Sequence, residues 1–392
     1  MRVQLPARPH VPVPREESFS SRLRSAAVAA RIGLWLGVCF GVAFVTGLVS
    51  HYAQSTHQPV PFPNDPVWLY RVTQGLHVTT GTAAIPLLLV KLWAVYPKLF
   101  APLPRRLREI VLVGLERGSI AVLVAGSILE LAIGLMNVAQ WYAWDFSFKR
   151  VHYALAFVVI GALMIHIAVK LPITREALGG DVEDTEADRP QAVRPGAFSR
   201  RTLLRTTWGA ALLAALVGSS AAGTIRGLDR LAVLSPRSRR SGIPINRTAS
   251  QVGVAASAMS GSYRCEVVHG EKAAGFSRAE LLALPQATHV LPIACVEGWS
   301  ANGTWTGVPL RTLLDHVGIP RGRNVQVHSL QERGADRVTV LPANVADDER
   351  TLVALLLDGQ PLSLDHGYPA RLMAPDRPGT LQTKWISRIE AL

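Results

Sequence analysis

Charge is scarce in this chain. Asp, Glu, Lys and Arg make up 18% of its 392 residues and apolar residues 49%, whereas soluble domains carry about 25% charge. The shortage argues against a fully solvated surface, and the mean hydropathy of +0.23 places part of the chain in lipid. Acidic residues are the scarcer sign, 28 against 41 Lys and Arg, leaving a formal net charge of +13. Such a balance can mark a nucleic-acid binder. Here the basic residues flank apolar stretches and form no aromatic-interleaved patch, so membrane orientation accounts for them and no nucleic-acid partner is expected. Cysteine is rarer still, with only Cys39, Cys265 and Cys295. Three cysteines do not suggest a disulfide framework, and a Cys265–Cys295 bridge is not expected.

The length suits two to three domains. Residues 1–30, rich in Pro and Arg, are read as a cytoplasmic tail. Apolar stretches follow near 31–50, 72–96, 118–140 and 151–171, each about the ~20 residues that cross a bilayer as a helix. They predict a four-helix membrane domain over 31–172. A cytoplasmic linker over 173–205, a fifth, anchoring transmembrane helix over 206–224, a second linker over 225–250 and a mixed α+β domain over 251–392 complete the expected order. Within the last domain, short helices are predicted at 278–283 and 310–317.

Lys and Arg set the direction of crossing. Arg15, Arg22, Arg24 and Arg31 precede the first helix, and Lys98, Arg105, Arg106 and Arg108 lie between the second and third. Arg175, Arg189, Arg194, Arg200, Arg201 and Arg205 precede the fifth, while the loop over 50–66 has no basic residue except histidine. The N-terminus is therefore expected in the cytoplasm and the chain from about 226 outside. Trp68, Tyr70, Trp141, Tyr142 and Trp144 then fall at the outer interface, where amphipathic rings prefer to sit.

An ionisable residue in lipid is costly and marks a functional candidate. His77, His152 and His166 qualify; His51 lies next to a polar loop and is read as interfacial. His152 and His166 are 14 residues apart, within roughly 40° of one helix face and about 21 Å along the axis. One face could thus offer an imidazole near each membrane surface, as axial ligands of b-type haem. Gly75, Gly81 and Gly161 are positions where a flat macrocycle could approach the backbone. Arg71 and Lys91 are candidate propionate partners, and Glu130 is a candidate proton or quinone-site group.

Leu76-His77-x3-Gly81 and the His152/His166 spacing resemble the membrane cytochrome b subunits of formate dehydrogenases and nickel-iron hydrogenases. The resemblance implies an outer haem between His77 and His152. It would pair His166 with a histidine near position 33, where this chain has Gly33. One haem b is therefore expected, with membrane quinone or quinol as partner. Ser199-Arg200-Arg201-Thr202-Leu203-Leu204 resembles a twin-arginine export signal.

The stretch Ile293-Ala294-Cys295-Val296-Glu297-Gly298-Trp299-Ser300 is followed by Trp305-Thr306-Gly307-Val308-Pro309-Leu310. Further on come Leu357-Asp358-Gly359, His366-Gly367-Tyr368-Pro369, Arg371 and Gln382-Thr383-Lys384-Trp385. Together they resemble the sulfite oxidase family, including small bacterial members such as the catalytic subunit of the periplasmic methionine sulfoxide reductase. The resemblance implies a sulfite-oxidase-like domain holding Mo-molybdopterin, with Cys295 as metal ligand and catalytic residue. It also implies that His366 and Arg371 hold the pterin and its phosphate, that Lys384 helps, and that Asn246 and Thr248 touch the pterin. A soft thiolate suits a high-valent metal, and a guanidinium suits a phosphate. Asp358 stands where the family more often has Asn, and a monomeric catalytic domain is expected. By the same resemblance, Arg323, Arg333 and Arg337 are candidates for the basic substrate-pocket arginines of true sulfite oxidases. The expected function is membrane-bound oxygen-atom transfer on a sulfoxide- or sulfite-like substrate, coupled through haem to quinone in a bacterial cell membrane. The alternative is an electron-transfer cytochrome with a degenerate outer binding domain.

Overall fold

The structure, a computed structural model, describes residues 15–55, 58–102, 104–186, 188–194, 196–237, 242–332, 334 and 337–392. The first 14 residues of the expected tail, and Arg333, lie outside the described residues.

Among the described residues, four helices are long and apolar enough to cross a membrane: α1 (Ala26–Ala53), α2 (Leu69–Val95), α3 (Leu107–Val138) and α4 (Phe148–Gly179). At 1.5 Å per residue each reaches about 40 Å or more, beyond a hydrocarbon core of about 30 Å. Their ends therefore exceed the apolar stretches legible in the sequence. A fifth helix, α5, covers Arg200–Gly218. It begins earlier than the sequence suggests, and Arg200, Arg201 and Arg205 occupy its first turns.

The chain divides into two compact units, each drawing on part of α1 to α4. The first comprises Met1–Phe40, Ala83–Leu131 and Leu155–Leu212, the second Gly41–Thr82, Ala132–Ala154 and Leu213–Leu392. In the first, Val28, Ile32, Leu87, Val182 and Leu204 form an apolar core. Beside it Arg200 is 0% exposed. Its guanidinium donates to the carbonyls of Arg22 at 2.7 Å, Val182 at 3.1 Å, Asp184 at 2.7 Å and Ala192 at 3.0 Å, and pairs with the Asp188 carboxylate. The first arginine of the paired motif thus ties the 182–192 segment to the start of α5. Replacing Arg200 by Ala is expected to strand the buried Asp188 carboxylate at a cost of about 3–5 kcal/mol. Limited proteolysis of the detergent-solubilised protein checks this, since cleavage within 182–192 should accelerate; an unchanged pattern would refute it.

The second unit holds two five-stranded sheets. The first sheet is built from β1 (Cys265–His269), β2 (Lys272–Phe276), β5 (Val325–Ser329), β6 (Val338–Leu341) and β10 (Ile386–Ala391) in the order β2-β1-β10-β5-β6. The other contains β3 (Ala287–Ala294), β4 (Ser300–Pro309), β7 (Leu352–Leu357) and β8 (Gln360–Pro361) in that order, with β9 (Arg371–Met373) paired to β7. β1 and β10 pair in parallel. The main core joins Val267, Val327 and Ile389 of the first sheet to Val308, Val353 and Leu355 of the second. On β7, Leu352 and Ala354 turn to a separate cluster with Cys295, Trp299 and Trp305. Burial on both faces explains why β7 reads as an unbroken apolar run. At Gly307 a β-carbon would strike the Val353 backbone, and the β4–β7 register shifts there. Short helices occur at Arg278–Ala283, capped by the Ser277/Glu280 box, and at Leu310–His316.

Candidate active site

Cys295 stands at the end of β3, where the β3–β4 hairpin closes. Its N–H donates to the Trp299 carbonyl at 2.9 Å, and its carbonyl accepts from the Gly298 N–H at 3.0 Å. Gly298 has φ +87°, and a β-carbon there would overlap the Val78 side chain of α2. Glycine is required on both counts. The thiol is free and 1% exposed. Burial, and then the Glu297 carboxylate, push its pKa up. The protein alone therefore favours the thiol, and a metal must create the thiolate.

Asn246, Cys295, Asp365, His366, Arg371 and Lys384 line one cleft. Five of the residues expected at the site from sequence are thereby brought together from four separate stretches. Thr248 is not: its N–H donates to Gln251 Oε1 at 2.8 Å and its hydroxyl meets Ser250 at 3.0 Å.

The cleft is rich in cationic side chains held by neutral partners. Arg371, 2% exposed, donates to the carbonyls of His366 at 3.0 Å and Gln382 at 3.3 Å and lies 5.1 Å from the Trp305 ring centre. Its Nε has no hydrogen-bond partner, and burial lowers its pKa to about 9. Lys384 donates to Asn246 Oδ1 at 3.3 Å and to the carbonyls of Arg247 at 2.5 Å and Asp365 at 3.0 Å. Burial, and then Arg371, lower it to about 7. His366 Nε2 donates to the Ile243 carbonyl at 3.0 Å, and Nδ1 lies 2.8 Å from the Ser363 hydroxyl. Burial lowers its pKa too, and the Ile243 bond partly offsets this. A buried guanidinium such as Arg371, paired with no carboxylate among the described residues, calls for an anion. Among the described residues no group of three His, Cys, Asp or Glu side chains could hold a metal. The donor set instead fits a metal carried on an anionic organic ligand and completed by one thiolate, as molybdopterin would provide.

Other expectations are revised. Arg323 and Arg337 are exposed and do not line the cleft, and Arg337 donates to the Glu332 carbonyl at 3.1 Å. Asp358 has φ +49° beside Gly359 at φ +76°, forming the β7–β8 turn, and accepts from the Thr304 N–H at 2.9 Å. That position needs a residue tolerant of left-handed backbone, a role Asp and Asn share.

Tyr70 is buried rather than interfacial, unlike Trp68, Trp141, Tyr142 and Trp144, which are exposed. The Tyr70 N–H donates to Asp376 Oδ1 at 2.8 Å, so a carboxylate caps the start of α2. Asp376 is 4% exposed, its other oxygen has no partner, and burial raises its pKa to about 7. Above about pH 4 the unfolded chain releases this proton while the folded chain keeps it. Its contribution therefore favours folding at low pH and is lost as pH rises through about 7. Asp376→Asn should flatten that dependence, as thermal unfolding at pH 5 and pH 8 would show; identical slopes in the two proteins would refute it.

In the second unit, the rings of His77 on α2 and His152 on α4 stand 5.9 Å apart at 80°. His77 Nδ1 donates to the Ala43 carbonyl at 2.8 Å, leaving Nε2 to bind a metal. Two imidazoles on one iron stand about 6 Å apart, from metal–nitrogen bonds of about 2 Å and roughly 1 Å more to each ring centre, close to the separation of this pair. Gly47 and Gly134 make room for the rings: β-carbons there would lie 3.1 Å from His77 Cε1 and 3.3 Å from His152 Cε1. Sequence reasoning missed both. Of the glycines it named, Gly81 and Gly161 face open space and Gly75 meets only Ala221. His51 stacks on Tyr153, with ring centres 3.7 Å apart. His166 belongs to the first unit. There Lys91 donates to the Ala29 carbonyl at 2.6 Å, its ammonium 2.9 Å from where Gly33 would carry a β-carbon.

Residues 252–392 match the family described as an oxidoreductase molybdopterin binding domain. The "Putative protein-methionine-sulfoxide reductase subunit YedZ1" of Azospira oryzae is 36% identical over 110 residues, covering 28% of this chain and 41% of that protein. Inducible nitrate reductase 2 (NADH) of Glycine max is 33% identical over 99 residues, covering 23% of this chain and 11% of its own length. The sulfite oxidase of Arabidopsis thaliana is 26% identical over 113 residues, covering 24% and 29%. The chain thus spans less than half of each relative. Its C-terminal part is a molybdopterin-binding oxidoreductase domain related to those of sulfite oxidase and nitrate reductase.

Proposed function

We propose that this protein is a membrane-bound molybdopterin-dependent oxidoreductase that reduces a sulfoxide, small or protein-borne, with electrons drawn from membrane quinol through one b-type haem. The observation that carries the reading is the single cleft joining Cys295 to Lys384 and the buried Arg371, whose Nε has no hydrogen-bond partner and which pairs with no carboxylate among the described residues. Bound there, the molybdenum cofactor supplies two-electron oxygen-atom transfer. Cys295 supplies the thiolate ligand, Arg371 and Lys384 neutralise the phosphate of the pterin, and His366 and Asn246 hydrogen-bond to its polar edge. His77 and His152 hold the haem, while His166 is left without a ligand role. The N-terminus faces the cytoplasm of a bacterial cell and the catalytic domain lies outside, with the Arg200-Arg201 pair serving in export. The choice of a sulfoxide follows the name of the Azospira oryzae relative.

The test is a purified, detergent-solubilised protein analysed for metals and by optical spectroscopy. It should contain molybdenum and a b-type haem whose reduced bands are oxidised on adding methionine sulfoxide. Haem without molybdenum would favour an electron-transfer cytochrome with a degenerate outer domain. Reduction of the haem by sulfite, with no response to sulfoxide, would reverse the assigned direction.

A further inference from the structure

The turn that presents Cys295 is held by two side-chain amides of the membrane helices. Gln74 of α2 donates from Nε2 to the Val296 carbonyl at 3.2 Å, and Asn137 of α3 donates from Nδ2 to the same oxygen at 3.5 Å. Both amides are oriented from behind. The Ser50 hydroxyl donates to Gln74 Oε1 at 2.7 Å, and the Tyr142 hydroxyl donates to Asn137 Oδ1 at 3.3 Å. With each amide oxygen occupied, each NH₂ group is left to face Val296.

Helical periodicity gives this contact its direction. His77 follows Gln74 by one turn on the same face of α2. Val78, next to His77, fills the space in which Gly298 carries no side chain. On α3, Gly134 precedes Asn137 by one turn and is the residue packed against the His152 ring. Each amide therefore links the residue bonded to Cys295 with the helical turn at one of the two imidazoles. One donor would satisfy a buried carbonyl; here two converge on it.

We infer that Gln74 and Asn137 are positioning residues for electron exchange, coupling the Cys295 turn to the helices at His77 and His152 by direct hydrogen bonds. The inference rests on the reading that a haem sits between those imidazoles. Quinol is oxidised to quinone, releasing two electrons and two protons. The sulfoxide is reduced to sulfide, its oxygen leaving as water with two protons, and the electrons cross the Val296 contact one at a time.

The test uses the full-length protein with Gln74→Met, with Asn137→Leu, and with both, each keeping similar volume without a donor. The haem is reduced, mixed with methionine sulfoxide, and its reoxidation followed optically. In parallel, the haem midpoint potential and sulfoxide reduction driven directly by reduced viologen are measured. The expected result is a several-fold slower haem reoxidation in each variant, slower still in the double variant, with potential and viologen-driven rate unchanged. A haem-loaded double variant reoxidised at the unaltered rate would overturn this inference alone. A parallel loss of viologen-driven turnover would also overturn it, because the amides would then merely hold the turn. An unaltered protein lacking b-type bands would overturn the haem reading and this inference with it.

Discussion

Replacing Cys295 by Ala is expected to lower viologen-driven sulfoxide reduction more than about 100-fold while leaving the haem spectrum intact. The size follows from ligand chemistry: loss of a partner that only orients a metal ligand costs roughly 10–100-fold, and here the ligand itself is removed. The fold should survive, because the Cys295 and Gly298 N–H bonds that close the turn belong to the backbone and remain. Cys265 is the control. It is equally buried and its thiol is pushed up to about 12, but it lies on β1 within the main core and does not line the cleft. Cys265→Ala should keep turnover. Equal activity in the two variants, measured with molybdenum content, would remove the assigned role of Cys295.

Arg371→Met should yield a folded protein that has lost its cofactor. Truncating one partner of a buried charge pair costs about 2–5 kcal/mol, or roughly 30- to 4,000-fold in affinity. Because Arg371 pairs with no carboxylate among the described residues, its removal strands no protein charge. The carbonyls of His366 and Gln382 each lose a donor, at about 1–3 kcal/mol apiece, partly offset by burying a thioether in place of a desolvated cation. Molybdenum and pterin content, read beside the thermal unfolding midpoint, separate the effects. A full complement of molybdenum in a folded Arg371→Met protein would show that the guanidinium does not hold the phosphate.

The four long apolar helices and the short helices of the C-terminal domain were legible because their signals are local: apolar length, caps and periodicity. Cys295, His366, Arg371 and Lys384 were legible because their neighbours form motifs. The glycines that admit the imidazoles were not, since Gly47 and Gly134 look like any helical glycine until His77 and His152 lie against them. Tyr70 reads as an interfacial aromatic until Asp376, far along the chain, caps its helix. Arg200 reads as a loose positive flank until the 182–192 segment wraps it. Asp358 looks like a weakened cofactor contact and proves to be a turn residue. By itself, the sequence determined the four long apolar spans, though it expected a fifth at 206–224, together with a mixed α+β domain and the thiol at Cys295. Only the tertiary structure decided that Cys295 shares a cleft with Arg371 and Lys384, and that Gln74 and Asn137 meet beside it. The physical reason is that lipid burial and turn chemistry act over a few neighbouring residues, whereas a site's electrostatics depend on side chains that meet only when the chain is folded.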